Sequence, residues 1–82
     1  FASNSQSAAD VAATLNTLAS SVEKVTAAYQ SLQNSVDGMA DKVSGLGNTK
    51  LNALLGNISG KLGETVAIQT ELKNQYRARH PL

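Results

Sequence analysis

Apolar residues recur through the first half of this chain at alternating steps of three and four: Ala8, Val11, Leu15, Leu18, Val22, Val25, Tyr29, Leu32, Val36, Met39, Val43 and Leu46. Side chains on a strand change face every second residue, so a 3.5-residue period excludes a strand and specifies a helix with one apolar stripe. The pattern predicts a first helix over 8–44, about 55 Å long at 1.5 Å per residue. Ser7 followed by Asp10 has the spacing of a capping box at its start, with Asp as a shorter partner than the usual Glu. A globular helix rarely keeps this period through five heptads, so the stripe is read as a surface that another helix must cover.

The pattern breaks at Ser44-Gly45-Leu46-Gly47-Asn48. Gly suits a left-handed helix end, Asn48 or Thr49 suits the next N-cap, and the apolar phase slips between Leu46 and Leu51. Beyond this break at 45–49, Leu51, Leu54, Leu55, Ile58, Leu62, Val66, Leu72 and Tyr76 form a second, less regular stripe. It predicts a helix over 50–78, ending before Pro81. Gly56, Gly60 and Gly63 weaken it by up to ~1 kcal/mol each relative to Ala. The alternative is a loose connector over 45–63 with firm helix only from 64. The fold class expected is all-α: a helical hairpin over 8–80, a flexible polar arm over 1–7 and a tail at 81–82.

Written as heptads, Ala8, Leu15, Val22, Tyr29, Val36 and Val43 occupy a, and Val11, Leu18, Val25, Leu32, Met39 and Leu46 occupy d. A two-stranded zipper would place Glu and Lys at e and g to set partner and register. Here e and g hold Ala12, Thr14, Ala19, Ser21, Thr26, Ala28, Gln33, Ser35, Ala40 and Lys42, nearly all small and uncharged. Such flanks widen the apolar face and admit helices on two sides, which favours a bundle or a hairpin packed on neighbours. The expected assembly interface is Val11, Leu15, Leu18, Val22, Val25, Tyr29, Leu32, Val36, Met39, Val43 and Leu46, continued by Leu51, Leu55, Ile58 and Leu62. Gly45, Gly47, Gly56, Gly60 and Gly63 are candidates for hinge or close-packing positions, Gly56 and Gly60 having the spacing that brings helices together.

Eighty-two residues suffice for one small domain, a size at which burial is marginal and association with other chains is a common remedy. The chain has no cysteine for disulfides or thiolate metal sites. Nearly half of it is Ser, Thr, Asn, Gln or Ala, a small and polar profile that points to an extracellular, virion or cell-surface setting. It opens on Phe1 without a signal peptide, which reads as a processed or fragmentary N-terminus. Charge is sorted along it: Asp10, Glu23, Asp37 and Asp41 outweigh Lys24 in the first half. Lys42, Lys50, Lys61, Lys73, Arg77 and Arg79 outweigh Glu64 and Glu71 in the second. Two such halves attract, within a hairpin or between subunits.

Candidate chemistry is thin. His80 is the only histidine and lies two residues from the end, without partners for a catalytic triad or a metal. The carboxylates are dispersed over b, c and f positions, and Gly45-x-Gly47 is too short for a phosphate loop. Arg77, Arg79 and His80 beside Tyr76 complement the negative end of a helix before they make a nucleic-acid footprint. No apolar run reaches the ~20 residues of a membrane span. The reading is therefore of a non-enzymatic chain with no cofactor, metal or small-molecule substrate, whose partners are copies of itself.

In layout the chain resembles needle and pilus subunits of type III secretion systems and the terminal helices of flagellins: polar arm, long helix, short break, second helix, basic tail. It lacks the proline-rich turn that needle subunits commonly carry, and no family motif accompanies the resemblance. The expected function is that of a structural subunit polymerising through helix packing into an extracellular or virion filament, pilus or tube. The alternatives are a trimeric coiled-coil stalk of a phage fibre or adhesin, and an amphipathic lipid- or surface-coating protein.

Overall fold

The computed structural model describes residues 7–79, which form two helices, α1 (Ala8–Ser44) and α2 (Thr49–Ala78). The arm expected over 1–7, apart from Ser7, lies outside the described residues, as do His80 and the tail at 81–82. The first helix begins where the Ser7 hydroxyl accepts a hydrogen bond from the Asp10 N–H at 3.1 Å. Asp10 in its first turn and Lys42 in its last complement the helix dipole.

The turn occupies 45–48, one residue shorter than expected, because Asn48 caps α2 and makes Thr49 its first residue. The Asn48 side-chain oxygen accepts from the Leu51 N–H at 3.0 Å. Gly45 keeps right-handed helical geometry, and the left-handed residue is Gly47 at φ +71°. The Leu46 and Gly47 N–H groups close the end of α1 onto Val43 O and Ser44 O. α2 runs unbroken through Gly56, Gly60 and Gly63, so the loose-connector alternative for 45–63 does not hold.

The chain folds back on itself as an antiparallel hairpin measuring 63 × 17 × 17 Å. Its radius of gyration of 18.8 Å far exceeds the ~12 Å of a compact chain this long. Opposite charge helps set the register: Arg77 Nη2 donates to Glu23 Oε1 at 2.7 Å across the helices.

The seam between the helices differs from the one the stripe suggests. The residues of α1 turned toward α2 are Ala12, Leu15, Ala19, Val22, Thr26, Tyr29, Gln33, Val36, Ala40 and Val43, which are columns a and e rather than a and d. Ala12, Ala19 and Val36 are the buried apolar residues among those described, and no large side chain there is fully buried. α2 answers with Asn52, Leu55, Ser59, Leu62, Val66, Gln69, Lys73 and Tyr76, again at steps of three and four.

Two physical reasons favour this seam. The alanines of column e let the helices approach, where the Leu and Met of column d would hold them apart. Turning e inward also brings the neighbouring b column within reach of α2, so that Glu23 meets Arg77 and Asp37 Oδ1 accepts from the Ser59 hydroxyl. Polar seam residues are satisfied locally. The Thr26 hydroxyl donates to Val22 O at 2.7 Å and lies 3.1 Å from Gln69 Oε1, and Gln33 Nε2 donates to Ser59 O at 3.1 Å. Near the turn, Asn52 Oδ1 is shielded from solvent without a hydrogen-bond partner, so the seam is weaker there.

Candidate assembly surface

Closing the hairpin over a and e leaves column d uncovered from Leu18 onward, Val11 being half-buried. Leu18, Val25, Leu32, Met39 and Leu46 are exposed by 39 to 76%. On α2 the exposed large apolar residues are Leu51, Leu54, Ile58, Ile68 and Leu72. Both sets fall on one side of the hairpin. Val25 and Leu72 line the same groove, with Val22, Ser21 and Gln69 around them. Each step of seven along α1 is matched by a step of seven back along α2. That register sets Met39 beside Ile58 and Leu32 beside Thr65.

The opposite flank is polar. Glu23, Thr26, Ala27, Gln30, Thr70 and Lys73 line the groove there, and the Glu23–Arg77 pair lies along it. The hairpin is thus two-faced along its length, with ion pair and amides on one flank and ten large apolar side chains on the other.

No protein-family model, curated protein or solved structure matches this chain. The assignment of a working surface therefore stands on the geometry alone. Of the residues expected at the assembly interface, Val11, Leu15, Val22, Tyr29, Val36, Val43, Leu55 and Leu62 are buried or half-buried in the single hairpin. Leu18, Val25, Leu32, Met39, Leu46, Leu51 and Ile58 make up the open flank. Reading a and d as one interface missed this division. Leu54, Ile68 and Leu72 belong to the open flank and were not singled out as interface. The signal for Leu54 and Leu72 lay in α2's own phase, where Leu51, Leu54, Ile58 and Leu72 form a stripe distinct from Leu55, Leu62, Val66 and Tyr76.

The glycines divide as well. A Cβ placed on Gly56 or Gly60 meets nothing within 4 Å, so neither brings the two helices of the hairpin together. One on Gly63 would lie 3.0 Å from Gln33 Nε2, so Gly63 is where α2 makes room for the Gln33 amide. Gly47 alone takes a conformation that L side chains resist, and Gly45 sits in ordinary helical space.

Among the described residues no cluster of three or more His, Asp or Glu is arranged to hold a metal, and no helix is long and apolar enough to cross a membrane. A further shallow groove, lined by Leu54, Asn57, Ile58, Lys61, Leu62 and Thr65, runs along α2 on the apolar flank.

Proposed function

We propose that the chain is a structural subunit that assembles with copies of itself through the apolar flank, as a building block of a filament or tube. The observation that carries this reading is the concentration of the exposed large apolar residues on one flank of a rod. Scattered singly they would be ordinary surface; gathered along about 42 Å, from Leu18 to Leu46 at 1.5 Å per residue, they make a surface of the kind that marks association.

The reversal at Gly47 favours this reading over a parallel stalk, which requires both stripes to continue in a single rod.

Sedimentation velocity over a concentration series, with negative-stain imaging of the same samples, tests the proposal. The full chain is expected to sediment above the mass of one chain. The double variant Val25→Asp/Leu32→Asp should return it to a monomer that keeps its helical circular dichroism, since both residues point away from the seam. A chain that stays at 8.5 kDa up to millimolar concentration would refute self-assembly.

A further inference from the structure

We infer that the occupant of the apolar flank is a second copy related by a two-fold axis parallel to the hairpin, with both turns at the same end. This closes a four-helix bundle in which each α1 lies between its own α2 and the α2 of the other copy. The inference rests on the self-assembly reading and adds to it the partner's orientation.

Two flanks can meet face to face about a two-fold axis along the rod or across it. An axis along the rod sets each α1 on the other copy's α2, and an axis across the rod sets α1 on α1 and α2 on α2, at the 8–10 Å of packed helices.

Shape decides between them. The column of α1 next to d is small except at Lys42 (Thr14, Ser21, Ala28, Ser35), whereas the corresponding outer column of α2 carries the long side chains of Leu54, Lys61 and Ile68. With the axis along the rod, Ile68 of one copy comes to the level of Ala28 of the other, large against small. Met39 of the second copy likewise reaches the groove between Leu54, Ile58 and Leu62. The rungs Met39/Ile58, Leu32/Thr65 and Val25/Leu72 then stack on their equivalents as three core layers.

Size is the second argument. A flank about 42 Å long and 17 Å wide offers about 700 Å² per copy, above the threshold for a specific interface once both sides are counted. Such a pair uses the same patch on both subunits and closes on itself. Extension into a filament then runs through other surfaces, and the repeating unit is the dimer.

Disulfide trapping tests the orientation, and the absence of native cysteine leaves the background clean. Ala28→Cys and Ile68→Cys are both exposed in the hairpin, on opposite edges of the flank, so circular dichroism should be unchanged. Under mild oxidation the double variant is expected to run mostly as a two-chain species, and each single variant as one chain. A two-chain product from Ala28→Cys alone would place α1 on α1 and overturn the orientation while leaving self-assembly standing. A disulfide within one chain, or no disulfide from a sample that sediments as a dimer, would overturn it too. Absence of both disulfide and dimer would remove the self-assembly reading itself.

Discussion

Ala19→Leu separates the observed seam from the one the heptad pattern suggests. Ala19 sits in column e and is fully buried between the helices, whereas its neighbour Leu18 in column d is 39% exposed. A leucine at 19 adds three carbons where no accessible volume remains. It must push the helices apart or take a strained rotamer, at a cost of about 1–3 kcal/mol. For a domain of this size each kcal/mol moves the melting midpoint by about 4–8 °C, so a fall of roughly 5–20 °C is expected.

Ala13→Leu is the control. Position 13 is exposed on the outer face of the same helix, and there the exchange costs only a few tenths of a kcal/mol in helix propensity. Both variants would be melted by circular dichroism at one chain concentration, so that association contributes equally. If Ala19→Leu melted with Ala13→Leu, the helices would not meet along columns a and e, and the division into seam and open flank would fail with it.

Two further outcomes follow from the same geometry. Gly60→Ala meets open space and should stabilise α2 by about 0.4–1 kcal/mol, whereas Gly63→Ala should gain little, because its Cβ displaces the Gln33 amide from Ser59 O; thermal melts of the two variants read the contrast. Arg77→Ala should cost about 0.2–1 kcal/mol at low salt, its partner Glu23 being 48% exposed; urea melts at low and high salt should show that difference vanish as the pair is screened.

The clearest readings from sequence were the elements and their ends. Ser7, Gly47 and Asn48 act through bonds to residues one turn away, so local chemistry placed both caps and the turn. The continuity of α2 was harder to read. Three glycines lower helix propensity, and only contacts such as Leu55 and Leu62 against α1 compensate.

The apolar flank was half legible. The stripe named its apolar members but not which of them the chain would cover itself. Columns d and e lie on either side of a, so a helix can close over a with one or the other, and the periodicity is the same for both. That choice depended on a second helix: on whether Ala19 or Leu18 lets it come close, and on whether Glu23 reaches Arg77. The sequence by itself therefore determined two amphipathic helices and the turn between them, because caps and periodicity act within a few residues. Only the tertiary structure decided which apolar columns are spent inside the hairpin and which remain exposed on one flank, because packing compares residues far apart in sequence.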